Sequence, residues 1–395
     1  MSDVLAPASA HPDKHRPIYP ALDGVRFLAA MLVMVYHLFY LPHSDLLDAS
    51  DRVRQFWRFG WVGVEIFFTL SGLVIAYSAK RATAATFLID RTVRLAPTIW
   101  ICASISLLLL LIFWHSADLH QLLIDYLWTV VLRPYGRHIN AVYWTLTVEI
   151  AFYVLVFCML RWSNFRSLLR AMIIIGAVSA AFNSVLALSP LLHEWWPRLT
   201  EVALGAGKVH ITRLLLLRHG CFFALGVLIW SLKDESRPKY CAPLIALFLG
   251  GGTMEVWYEA QSQIANTPAL HYSPLLPVLA WLVGTSAIFL SRLLRPIQLP
   301  RGVNWVSILR YCGLLTFPVY LIHDDVGLVI EDRLSMFGFD SAALAAIAVV
   351  LVLSMLVTSF VEPPLARSLK VFLRRVFLKE VRGPLSAQPG AANRL

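Results

Sequence analysis

The chain carries one long apolar run near its start, Ala21-Leu-Asp-Gly-Val-Arg-Phe-Leu-Ala-Ala-Met-Leu-Val-Met-Val-Tyr-His-Leu-Phe-Tyr40, which holds one arginine and one histidine. A helix turns by about 100° per residue, so Arg26 and His37 share one helical face and lie about 16 Å apart along the axis. Ionisable groups are costly against lipid, so we expect this face to turn toward the protein interior. The alternative is an arginine that reaches the membrane surface and a histidine bonded to a backbone carbonyl.

The composition places the chain in a membrane. Of its 395 residues, 58% are hydrophobic and only 15% are charged, and the mean hydropathy is +0.67. Soluble domains carry about 25% charged residues. The sequence therefore predicts an all-α polytopic membrane protein with about ten transmembrane helices, most of them near the ~20 residues needed to span a bilayer. The ten apolar segments are 22–41, 61–79, 97–114, 142–160, 169–188, 219–232, 241–257, 273–290, 313–330 and 342–361, of which the sixth is short.

Lysine and arginine are unevenly distributed between alternate loops. With a cytoplasmic N-terminus, the inner segments hold more than twice as many of them as the outer loops, which is the bias of membrane proteins. We therefore predict that both termini are cytoplasmic. The predicted organisation is an N-terminal tail over 1–20, a transmembrane domain over 21–366 and a basic tail over 367–395 that begins as an interfacial helix.

The net charge of +10 follows from this loop bias and from a basic tail beside anionic lipid, so it predicts contact with the bilayer and no nucleic-acid partner. None of the five cysteines has the spacing of metal ligands. We interpret them as apolar packing residues and predict no metal site.

Ionisable and small polar residues recur inside the later apolar segments. Ser71 precedes a glycine in the second segment, where small residues usually serve close helix contact. A hydrogen bond from Ser71 to a substrate thioester or a neighbouring helix is the other interpretation. Glu149 lies inside the fourth segment, and Tyr320 and His323 share one face of the ninth. Intramembrane ionisable residues are candidates for a functional site.

Two arginines stand just before the third segment. Arg91 and Arg94 are three residues apart, on one surface of a helical turn. The positive charge of cytoplasmic loops could account for both. Two guanidinium groups converging from one turn also form a clamp for phosphate.

Taken together in this order, these motifs resemble the acyltransferase family 3 of integral membrane acyltransferases, over residues 22–364. The resemblance implies transfer of an acyl group, most often acetyl from acetyl-CoA, to a hydroxyl of an envelope or exported saccharide, in a bacterial inner membrane. The motifs are Arg26 followed after ten residues by His37, Gly63-Val-Glu-Ile-Phe-Phe68 with Ser71-Gly72, Arg91-Thr-Val-Arg94 with Pro97, Trp144-Thr-Leu-Thr-Val-Glu149 with Phe152-Tyr153, Tyr320-Leu-Ile-His323 and Glu362-Pro-Pro364.

Acyl transfer to an alcohol needs a base for the hydroxyl proton and positive charge for the donor. We assign the base to His37, because imidazole titrates near neutrality, and expect Glu149 to lie at a similar depth and orient it. These two are the predicted catalytic residues.

The predicted residues of the donor site hold the phosphates and pantetheine of CoA. They are Arg26, Arg91, Arg94, Ser71, Tyr320 and His323. No hydrolase-like domain follows the last segment, so we expect the transfer to be completed within the membrane domain.

A proton-coupled transporter or flippase is the competing class, with His37, Glu149 and His323 as a proton relay. The sequence has no internal repeat and no matched pair of broken spans, which many transporters have. A membrane scaffold without chemistry would leave these intramembrane residues without a purpose. We therefore favour the acyltransferase.

Overall fold

The computed structural model describes residues 20–40, 56–113, 118–266, 273–293 and 305–378. Every element in this part of the chain is helical. The helices are α1 (Pro20–Val35), α2 (Gly63–Ala79), α3 (Ala84–Phe113), α4 (Leu119–Val130), α5 (Trp144–Trp162), α6 (Phe165–Ala187), α7 (Ser189–Leu192), α8 (Pro197–Lys208), α9 (His210–Leu214), α10 (Gly220–Ser231), α11 (Cys241–Asn266), α12 (Leu275–Leu293), α13 (Trp305–Leu334), α14 (Phe339–Leu356) and α15 (Glu362–Leu378).

The predicted membrane architecture is confirmed. Within the described residues, 9 helical segments are long and apolar enough to cross a membrane, and the shorter apolar helix α10 corresponds to the sixth predicted segment. The predicted N-terminal tail over 1–19 and the end of the basic tail over 379–395 lie outside the described residues. Residues 367–378, where the tail was predicted to begin as an interfacial helix, are helical as part of α15.

Helix α10 is short and fully buried. All 12 of its residues are buried, and at about 1.5 Å per residue it covers only about 18 Å of the ~30 Å hydrocarbon layer. It packs against α2, α6 and α11. These neighbours surround it, so it forms the centre of the bundle rather than a lipid-facing span.

Prolines lie within continuous helices at two places where the sequence predicted the boundary of a span. The third span was expected to begin at Pro97, yet α3 continues through this residue, as membrane helices can when neighbouring helices satisfy the freed carbonyl. The last predicted span ends at residue 361, before Pro363 and Pro364. The helix instead continues through the π-helical turn Val357–Val361 into α15, whose first turn contains both prolines.

Two π-helical turns interrupt the bundle's helices. The first, Tyr36–Tyr40, continues α1 and carries His37. The second, Val357–Val361, joins α14 to α15 directly before Glu362. Such turns are rare and often lie at functional sites, and in this chain each one places an ionisable side chain beside a cavity.

The centre of the bundle depends on close contact between α2 and α10. A Cβ atom added at Gly226 would clash with the carbonyl oxygen of Thr69, and one added at Gly72 would clash with the carbonyl oxygen of Phe223. Because both clashes are with backbone atoms, side-chain movement cannot relieve them. The packing interpretation of the Ser71-Gly72 pair is therefore confirmed for Gly72.

We predict that Gly226→Ala lowers the free energy of unfolding by about 1–3 kcal/mol, the usual cost of overpacking a filled interior. Thermal unfolding followed by intrinsic fluorescence in detergent measures the effect. Gly250→Ala is the matched control, because nothing lies within 4 Å of a Cβ atom added there. Equal melting temperatures for the two variants would contradict the packing argument.

Candidate active site

A cavity of about 540 Å³ opens between α1, α2, α3, α5, α13 and α15. We call it the large cavity. Four basic side chains line it: Arg26 from α1, Arg91 and Arg94 from α3, and Lys370 from α15. Its volume is in the range of about 300–1,000 Å³ typical of small-molecule sites, and its cations suit an anionic ligand.

Acidic side chains hold two of these cations in place. Arg26 Nη1 lies 3.6 Å from Asp23 Oδ1, one turn earlier on α1. Arg94 Nη1 lies 3.5 Å from Glu362 Oε1 on α15. Arg91 interacts with the Tyr153 side chain instead, and its buried Nε atom has no hydrogen-bond partner among the described residues. Its spacing from Arg94 within α3 places both guanidinium groups on one helical turn, as predicted.

Glu149 is the centre of a hydrogen-bond network on the wall of the large cavity. Ser71 Oγ donates to Glu149 Oε1 at 2.5 Å, and the Tyr153 hydroxyl donates to the same oxygen at 2.7 Å. All three side chains line the large cavity. The hydrogen bond from Ser71 to a neighbouring helix was one of the two interpretations of this serine.

His37 lies in a second cavity of about 160 Å³, which we call the small cavity. Its Nδ1 atom is 2.9 Å from the carbonyl oxygen of Val33. A carbonyl accepts only, so Nδ1 carries a proton, and in a neutral ring Nε2 would keep its lone pair. The His37 ring also contacts the ring of His323, with centroids 4.8 Å apart. In this arrangement Nε2 is the ring atom that is free of the bond to Val33.

His323 is fully buried, and its Nδ1 lies 2.8 Å from the carbonyl oxygen of Tyr320. It lines neither cavity, and its ring packs against the ring of His37. It therefore contacts His37 and does not line the large cavity with the other residues predicted for the donor site.

The two cavities share a wall. Tyr320 and Val64 line both of them. The Tyr320 hydroxyl lies 3.0 Å from Thr145 Oγ1, and its ring contacts Phe67 at 5.7 Å between centroids. A few side chains thus separate the basic cavity from the cavity that holds His37.

The expected pairing of Glu149 with His37 is wrong for this structure. Glu149 lines the large cavity and His37 the small one, and the carboxylate bonds to Ser71 and Tyr153 instead. The expectation compared depth along antiparallel helices and ignored the rotation of each helix about its own axis. A backbone carbonyl orients the imidazole.

Several residues that line the cavities were not predicted as part of a site. Lys370 was predicted only as part of a basic tail, and Glu65, His219 and Glu255 lie in predicted segments without an assigned role. The rule that makes intramembrane ionisable residues functional candidates would have identified Glu65 and Glu255. Lys370 gave no such signal, because its position depends on α15 folding back against α3.

The comparisons with known proteins agree with these motifs. The family model described as "Acyltransferase domain" matches residues 19–361. Nodulation protein 10 of Rhizobium leguminosarum bv. viciae is 27% identical over 209 residues, which cover 46% of this chain and 54% of that protein. The putative acetyltransferase ORF330 of Acidianus two-tailed virus is 26% identical over 166 residues, which cover 41% of this chain and 46% of that protein. The chain thus spans about half the length of the curated relatives it matches, and no solved structure matches it significantly.

Proposed function

Because this chain belongs to the acyltransferase domain family, we propose that it transfers an acyl group across a membrane-embedded site, from acetyl-CoA to a hydroxyl of an envelope or exported saccharide. One observation carries the proposal. A cavity lined by cations adjoins a cavity that holds a histidine base, and Tyr320 forms part of both walls. The relative described as a putative acetyltransferase supports acetyl as the transferred group.

The large cavity would hold the donor. CoA carries several phosphate groups on one end and the thioester on the other, so it needs cations at the cavity entrance and a narrower apolar path inside. Arg91 and Arg94 offer paired donors from one turn, and Arg26 and Lys370 add charge from the opposite walls. Guanidinium groups bind phosphate through two parallel hydrogen bonds.

His37 would act where the cavities meet. Its Nε2 atom takes the proton of the acceptor hydroxyl while the hydroxyl oxygen bonds to the acyl carbon. The carbon–sulfur bond then breaks, and the proton passes from His37 to the departing CoA thiolate. Glu149 would be a positioning residue on the donor side, since it fixes the hydroxyl groups of Ser71 and Tyr153 beside the path of the thioester.

The experiment that tests the proposal supplies purified protein in nanodiscs with radiolabelled acetyl-CoA. The acceptor is saccharide released from the envelope of a source strain that lacks this gene. We expect CoA release that depends on the saccharide, and O-acetyl groups on the saccharide by mass spectrometry. Proton-coupled solute uptake into proteoliposomes, without acetyl transfer, would favour the transporter instead.

We predict that the donor and acceptor approach from opposite sides of a bacterial inner membrane. Both termini would be cytoplasmic, so the basic end of the bundle would face the cytosolic acetyl-CoA. Arg26 and His37 are eleven residues apart on α1 and its π turn, which is about 16 Å. In sealed vesicles of known orientation, acetyl-CoA on the cytoplasmic face should acetylate an impermeant saccharide supplied only on the other face. Transfer only when both substrates are on the cytoplasmic face would refute this route.

A further inference from the structure

The small cavity holds a second set of ionisable side chains besides His37. Glu65 from α2, His219 at the start of α10 and Glu255 from α11 line it. They are 4%, 2% and 1% exposed, respectively. One oxygen or nitrogen atom from each lies within 4.8 Å of those of the other two. Three helices therefore bring polar atoms to one point of the cavity wall.

These atoms lack partners within the described residues. Glu65 Oε2, Glu255 Oε2 and both ring nitrogens of His219 are buried without a hydrogen bond. An unpaired buried polar group costs about 1–3 kcal/mol, so four such atoms at one place are unusual in a folded core. They are satisfied when the cavity is filled by a ligand that can donate and accept hydrogen bonds.

Neighbouring side chains restrict the cluster. Arg218 and Glu259 line the same cavity, and Arg218 Nη2 lies 2.9 Å from Glu255 Oε1 and 2.5 Å from Glu259 Oε2. The His219 ring packs against Phe68, with centroids 5.0 Å apart. These contacts limit the movement of Glu255 and His219, and such preorganisation favours specific binding.

The hydrogen-bonding atoms of the cluster indicate which ligand fits. Carboxylate oxygens accept hydrogen bonds, and a neutral imidazole offers one donor and one acceptor. A hydroxyl group both donates and accepts, so adjacent hydroxyls complement the cluster. Metal cations also bind such groups, but the guanidinium group of Arg218 on Glu255 disfavours added positive charge. Trp61 and Trp144 supply aromatic walls, which suit the apolar face of a sugar ring.

We propose that Glu65, His219 and Glu255 form the acceptor subsite of this protein and bind adjacent hydroxyl groups of one sugar ring. The small volume of about 160 Å³ admits one ring edge rather than a folded oligosaccharide. The ring so held would present a further hydroxyl to Nε2 of His37, which lines the same cavity. This assignment rests on the proposed acyl transfer for its role, but the binding itself can be measured separately.

The test uses Glu65→Gln and His219→Gln in the full-length protein in nanodiscs. The matched control is Glu331→Gln, a buried carboxylate that lines neither cavity. Three quantities are measured: binding of the released envelope saccharide by calorimetry, CoA release from acetyl-CoA with water as the only acceptor, and acetyl transfer to the saccharide. Glu255 is left intact, because its loss would leave Arg218 with one fewer partner.

We expect each cluster variant to weaken saccharide binding and saccharide acetylation by about 10-fold or more, with CoA release to water and the KM for acetyl-CoA within about twofold of wild type. The control should match wild type in all three. Loss of CoA release together with transfer would place these residues in the reaction or the fold and overturn the proposal. Unchanged saccharide binding would also overturn it, as would stoichiometric zinc in the wild-type protein that both variants lose. If no acetyl transfer occurs in any protein but the variants lose saccharide binding, the subsite stands and the proposed reaction fails.

Discussion

His37→Ala should reduce acetyl transfer by at least about 10²-fold, the usual contribution of a general base, while the protein still inserts and purifies. The imidazole is half-buried in the small cavity, and its loss removes one hydrogen bond to Val33. Most of the effect should therefore be on kcat. Single-turnover transfer from radiolabelled acetyl-CoA to the saccharide measures it.

The matched control is His120→Ala, an exposed histidine on α4 whose side chain lines neither cavity. It should keep wild-type turnover. If His37→Ala retained more than about a tenth of the wild-type rate, the base could not be His37. The role would then pass to His323, the neighbouring imidazole whose Nε2 atom is buried without a partner among the described residues.

The double change of Arg91 and Arg94 to alanine should weaken acetyl-CoA binding by about 10²-fold. Each guanidinium group is half-buried on the wall of the large cavity, so we take the lower end of a charged hydrogen bond, about 1.5 kcal/mol or roughly tenfold for each arginine. Lysine at both positions should restore only part of the affinity, because it keeps the charge and loses the paired donors. Calorimetric titration with acetyl-CoA measures both changes.

Arg161→Ala combined with Arg166→Ala is the matched control for charge. Both arginines are exposed, line neither cavity and occupy a predicted cytoplasmic loop. This variant should bind acetyl-CoA like wild type. Equal affinity in the two double variants would mean that Arg91 and Arg94 serve only the orientation of the protein in the membrane.

The membrane fold was predictable because lipid leaves few alternatives: a long apolar segment must form a helix. The ends of individual helices were harder to predict. The expectations at Pro97 and Pro363 relied on rules measured for helices in water. Those rules do not say whether a neighbouring helix will satisfy the freed backbone groups. The length of α10 was visible as a short segment, but its central position depends on contacts such as Gly226 with Thr69.

The shared surface of Arg91 and Arg94 in the large cavity was predictable, since residues at helical spacing lie side by side. The pairing of Glu149 with Ser71 and Tyr153 was harder, because it depends on how α2 and α5 are rotated against each other. Sequence gives the depth of a residue in a span to within a turn. It does not give the direction of its side chain around the bundle.

The π-helical turn at Tyr36–Tyr40 makes the position of His37 sensitive to the number of residues between it and Arg26. Tyr36 is the one residue of this turn that precedes His37, and its deletion would rotate His37 by about 100° relative to Arg26 and shift it by about 1.5 Å along the helix. The imidazole would then leave the small cavity even though no side chain that lines it besides Tyr36 had changed. The distance between Arg26 and His37 is therefore set by the number of residues between them, and this single deletion would move the imidazole more than most substitutions.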